Sequence, residues 1–217
     1  MRLSLSSAAA PDASLDELLA GCARRGLSGL ELAEGDGHAL SLSTAPGAGA
    51  AMADYARDAG VAICAIHLPS LAREEIDAAA CLAAAMGAPL VVPLKGFDRT
   101  VLPRAAEACS DRGTRLLLAH DSDARVPEAV RWLLEPLPHG DAVGLAWNVR
   151  PGVDEPARIG DVLDAAGEAL CYIRLHGGGP ESQAQTGQGV GGLLAALALR
   201  RYAGPLVLTP SVPNYRY

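Results

Sequence analysis

The sequence predicts an α/β protein: a (β/α)8 TIM barrel in one compact domain spanning residues 1–217. Three observations point there. Short β-like runs alternate with helical patterns from end to end, which implies βαβ units and a parallel sheet. Eight such runs can be read, the number that closes a barrel, and the chain of 217 residues suits that fold. No Gly-rich phosphate fingerprint follows the first run, where "SSAAAPDAS" stands in place of GxGxxG, and this disfavours an open doubly wound sheet.

The elements follow in order. "RLSLS" (2–6) is the first strand. The helix after it starts at Ser14 and Glu17, which have the spacing of a capping box, and stops at Gly26. "SGLELA" (28–33) is the second strand. The Gly/Ala-rich stretch after it, including "APGAGA" (45–50), reads as a loop leading to the helix "AMADYARDAG", closed by Gly60. Strand three is "VAICAIHL" (61–68), followed by a helix over 73–87. Strand four is "PLVVPL" (89–94), followed by the helix "VLPRAAEACSDRG". Strand five, 115–119, stops at His120 and Asp121, and a helix-like pattern runs on through Leu134. "AVGLAWN" (142–148) precedes the helix "EPARIGDVLDAAG", and "LCYIRLH" (170–176) precedes a Gly/Gln/Ser-rich loop. The helix "GGLLAALALRRYAG" and the strand "PLVLTP" (205–210) close the pattern.

Composition narrows the function classes. Half of the residues are apolar and a fifth are charged, as in an ordinary soluble globular protein. No apolar run is long enough to span a bilayer, and the N-terminal stretch is too short and polar for a secretory signal. The net charge is −7 and no Lys/Arg cluster stands out, which argues against nucleic acid and membrane as partners. Cys22, Cys64, Cys81, Cys109 and Cys171 are odd in number, scattered and free of CxxC spacing. They read as small hydrophobes in a reducing compartment, and a cytoplasmic protein is expected.

In a barrel, functional groups sit at the C-terminal ends of the strands and in the loops beyond. Ser6 and Ser7 fall there from strand one, Glu31 and Glu34 from strand two, His67 from strand three and Lys95 from strand four. Strand five contributes His120 and Asp121, strand six Asn148 and Arg150, strand seven Arg174 and His176, and strand eight Thr209 and Ser211. Three of the five histidines therefore share one rim.

Several stretches are similar to the xylose isomerase-like TIM-barrel superfamily, which includes sugar phosphate isomerases and epimerases and the family 2 AP endonucleases. The opening through "GLELA" resembles its first βαβ unit. "IHLP" (66–69), "GAPLVV" (87–92) and "AVGLAWN" resemble its third, fourth and sixth strands, and "YIRLH" lies where the family has a strand rich in His. "GQGVGGLLAALALRRYAGPLVLT" looks like its closing Gly-x-Gly loop, helix and strand. The resemblance implies a barrel and isomerase or epimerase chemistry. It also implies four metal ligands: a Glu ending strand five, an Asp and a His in a D-x-x-H run ending strand six, and a Glu ending strand eight. This sequence has Ala119, Asn148, Pro151 and Thr209 at those positions, and Arg174 where a strand-seven His would fall; only His67 keeps a family-like identity. Hard divalent ions need carboxylate oxygens, so no metal and no other cofactor is expected.

Three readings of the rim follow. In the first, an isomerase/epimerase-like enzyme acts without metal on a small, polar, carbohydrate-like and anionic molecule. Glu31, Lys95, Asp121, Asn148, Arg150 and Arg174 hold it, and His67, His120 or His176 move protons. In the second, a catalytically inactive barrel binds a ligand or partner; Arg150 and Arg174 then pair with Glu31 or Asp121 structurally, and Asp121 caps a helix. In the third, His67, His120 and His176 rebuild a zinc site with Asp121. Adjacent strand residues point to opposite sides, so His120 and Asp121 cannot both face the barrel interior unless the strand has ended. The loop 176–189 reads either as a lid or phosphate cradle or as an ordinary loop. Oligomeric state stays open, although apolar helix faces in such barrels often form homodimers.

Overall fold

The computed structural model describes residues 1–35, 40–95, 97–121, 140–149, 156–177 and 183–209, with the backbone alone for 121, 140, 156–158 and 183–189. Eight parallel strands close a barrel in sequence order. They are β1 (Arg2–Ser6), β2 (Gly29–Ala33), β3 (Ala62–His67), β4 (Leu90–Pro93), β5 (Leu116–Asp121), β6 (Val143–Val149), β7 (Leu170–His176) and β8 (Pro205–Thr209). Between them lie the helices α1 (Leu15–Arg24), α2 (Pro46–Asp58), α3 (Ile76–Met86), α4 (Leu102–Ser110), α5 (Pro156–Ala166) and α6 (Gln183–Leu199). The helix expected after β5 falls outside the described residues. None of the described helices is long and apolar enough to cross a membrane.

Local chemistry sets the helix ends. At α1, Ser14 Oγ accepts from the Glu17 amide at 3.3 Å while Glu17 Oε2 accepts from the Ser14 amide at 2.8 Å, so the capping box is formed. α3 ends at Gly87 with φ of 63°, the left-handed conformation that favours glycine at a C-cap. Two expectations are corrected. The Gly/Ala stretch 45–50 is not a loop: α2 starts at Pro46, a residue suited to the first helical turn. A Cβ on Gly49 would come within 2.7 Å of Leu82 Cδ1, so that glycine allows α2 to approach α3. Likewise α6 starts at Gln183, so 183–189, read as part of a loop, is helical.

Strand periodicity divides the apolar residues into two cores. Cys64, Ala65, Val91, Leu117, Ala119, Ala146, Tyr172 and Val207 fill the barrel interior. The opposite parity, including Leu30, Leu32, Ile66, Leu90, Leu118, Leu145, Trp147, Ile173 and Leu206, packs into the larger cluster under the helices. β5 runs two residues further than expected, through His120 and Asp121. Strand alternation therefore still holds at that pair.

Candidate functional site

Above the inner apolar layer the barrel lumen holds a buried polar network. Ser6, at the end of β1, is paired in register with Glu31 on β2, and its Oγ donates to Glu31 Oε1 at 2.6 Å. Arg174 reaches across the lumen from β7. Its Nη2 donates to the same oxygen at 3.1 Å, and its Nη1 lies 3.1 Å from His67 Nε2. Tyr172, two residues earlier on the same face of β7, donates to Glu31 Oε2 at 2.9 Å. All five side chains are buried, and the Arg174–Glu31 ion pair has side-chain exposures of 2% and 0%. Such a pair is tolerated only because hydrogen bonds satisfy the charges that burial has stripped of water.

The network dictates protonation. Guanidinium has donors only, so His67 Nε2 must accept and carries no proton while that bond exists. Burial, with the nearby Cys64 and Glu31, pushes the Tyr172 phenol well above its ordinary value, so it stays a donor. Burial and then Glu31 push the Cys64 thiol up to about 12, and burial pushes Cys109 up to about 11. In the native protein at pH about 8, iodoacetamide is therefore expected to alkylate the half-buried Cys81 and Cys171 and spare Cys22, Cys64 and Cys109. Peptide mass mapping before and after unfolding checks this; native labelling of Cys64 or Cys109 would contradict it.

The sequence-derived residues separate into distinct places. Glu31, His67 and Arg174 come together. Asn148 is buried beside Arg174 in the β6–β7 register, and His176 is half-buried opposite Thr209 on β8, with the inward parity of Tyr172 and Arg174. Lys95 is exposed in the turn after β4, apart from the network. His120 shares the parity of Leu116 and Leu118, which belong to the outer core, and stands opposite Trp147. That places it on the helix-facing side of the wall, away from His67. Asp121 occupies the register position opposite Asn148. Its side chain, and Arg150 and Ser211 entirely, lie outside the described residues. Sequence reading missed Tyr172 as a polar partner, although its spacing from Arg174 already put both on one face.

A divalent metal does not fit the described donor set. Ala119 closes the inner apolar layer, Asn148 is neutral, and Thr209 Oγ1 donates to the Leu175 carbonyl at 3.1 Å. The Arg174 guanidinium lies against both Glu31 and His67, the network's only carboxylate and imidazole. A cation binding there would have to displace or repel a fixed positive charge. Among the described residues no three His, Cys, Asp or Glu side chains form a metal-sized group. The zinc arrangement of His67, His120 and His176 does not form, because His120 lies on the other face of its strand.

No family model matches the sequence, and no curated protein matches it. Solved structures do match. The chain is similar to D-allulose 3-epimerase from Methylomonas sp., with 18% identity, a TM-score of 0.69 and coverage of 96% of this chain and 84% of that one. It is similar to L-ribulose 3-epimerase, with 15% identity, a TM-score of 0.70 and coverage of 96% and 81%. A xylose isomerase domain-containing protein from Salmonella typhimurium LT2 matches with 14% identity, a TM-score of 0.61 and coverage of 96% and 88%. The fold is that of the xylose isomerase-like TIM barrels.

Proposed function

We propose that this barrel is a sugar isomerase/epimerase-like protein that acts on or binds a small polar, carbohydrate-like molecule at its C-terminal mouth, without a divalent metal. The observation that carries this reading is the Arg174 guanidinium, fixed in the lumen of a sugar-epimerase fold by Glu31 and His67. In this reading Asn148 and Thr209 offer hydrogen bonds to ligand hydroxyls. His176 is the group that moves a proton, and His67 positions Arg174 through Nε2. Because Glu31 balances Arg174, anionic character in the ligand would be matched by Lys95, exposed in the turn after β4. His120, on the outer parity, and Asp121 take no assigned step.

The catalytically inactive barrel is favoured by one specific observation: Glu31 and His67 are both engaged by Arg174, which removes the two obvious bases. One experiment separates the readings. D-allulose and L-ribulose are titrated by calorimetry, then incubated with the protein in deuterated water and followed by proton NMR. The enzymatic reading expects saturable binding, weakened about tenfold or more by Asn148→Ala, and deuterium uptake at the epimerised carbon that His176→Gln abolishes. Binding without exchange selects the inactive barrel. Absence of binding for both ketoses would overturn the assignment to these sugars.

A further inference from the structure

A cavity of about 420 Å3 opens at the N-terminal end of the barrel, opposite the lumen network. Its place follows from its walls: Arg2 and Pro205 open β1 and β8, Arg115 immediately precedes β5, and Cys171 is the second residue of β7. Barrel interiors are normally filled by layers of bulky branched side chains. At this end Arg2 packs against Gly29, and Leu117, Cys171 and Arg115 pack against Gly144, so the two glycines make room for side chains that line the cavity.

The chemistry of the walls is uneven. Ile63, Leu117, Pro89 and Pro205 supply apolar surface, and Arg2 and Arg115 are the charged residues of the lining. No aspartate or glutamate is among the described lining residues. Both arginines are exposed, and neither makes a salt bridge among the described residues. Arg115 is held at the rim: its Nη2 donates to the Val143 carbonyl at 3.5 Å, and a Cβ on Gly144 would come within 3.2 Å of that nitrogen. Cys64 in the cavity wall is a neutral thiol, so it does not repel an anion.

We infer that this N-terminal cavity is a binding site for a small organic anion, with its phosphate or carboxylate at Arg2 and Arg115 and its apolar part against Ile63, Leu117 and Pro89. Guanidinium forks match the oxygens of such groups, and the volume lies within the usual range of small-molecule pockets. This site opens at the other end of the barrel from the proposed sugar site, although Tyr172 both lines it and belongs to the lumen network.

Phenyl phosphate is the probe, titrated into the full chain and followed by calorimetry and phosphorus NMR, with circular dichroism confirming that each variant is folded. Saturable binding is expected. Arg2→Gln and Arg115→Gln should each weaken it about tenfold or more, and the double variant should lose it. Phenol, the same ring without the anion, should bind at least about tenfold more weakly. Lys95→Gln, at the opposite mouth, should leave phenyl phosphate binding unchanged. No saturable binding, binding indifferent to both arginines, equal binding of phenol, or loss of binding on Lys95→Gln would each overturn the inference.

Discussion

Arg174→Ala is expected to lower unfolding stability by about 3–5 kcal/mol, because it leaves the Glu31 carboxylate buried without its counter-charge. Glu31 has no exposure with which to recover water, and only the Ser6 and Tyr172 hydroxyls would remain to stabilise it. The paired replacement Glu31→Leu/Arg174→Met should behave differently. Removing both charges together removes both desolvation penalties, and stability should return to within about 1–2 kcal/mol of the parent or exceed it. Urea denaturation of Glu31→Leu, Arg174→Met and the double variant measures the coupling, and that of Arg174→Ala measures the cost of the orphaned carboxylate. A cost below about 1 kcal/mol for Arg174→Ala would mean that the lumen network is not formed as described. The double variant should still fold yet lose ketose binding, which separates the network's structural role from its role at the mouth.

Trp147→Ala carries the second large effect, a loss of about 3–5 kcal/mol. Trp147 points outward from β6 into the helix-facing core and is 1% exposed, so truncation leaves a cavity that rigid strands on either side cannot close. Its register partners are His120 on β5 and Ile173 on β7. The same denaturation experiment tests the strand parity used above: a mild effect, below about 1 kcal/mol, would remove the argument that His120 belongs to the outer wall.

The barrel was legible because eight apolar runs of strand length alternate with capped helical segments, and short-range chemistry governs both. Where the reading failed, glycine misled it. In 45–50 and 183–189 glycine suggested loops, but both stretches are helical, and Gly49 lies at a close crossing with Leu82 that no local pattern reveals. The site was half legible. Glu31, His67 and Arg174 stood out individually as polar residues at apolar strand ends. Their union depends on barrel closure, which brings together residues 143 positions apart, so sequence could offer the Arg174–Glu31 pair only as one option. Tyr172 was hidden by its ordinariness in an apolar strand. Alternation along Leu116, Leu118 and His120 makes His120 outward only if the strand continues past Ala119, and β5 does continue, through Asp121.

A buried arginine–glutamate pair, with His67 held by the same arginine, engages the donors in the lumen that a divalent metal would need. Elemental mass spectrometry of the untagged protein, purified without chelator and then equilibrated with manganese or zinc and desalted, tests it most directly. No stoichiometric metal and no change in thermal midpoint on adding either ion are expected. About one tightly held ion per chain, lost together with ketose binding on chelation, would contradict this.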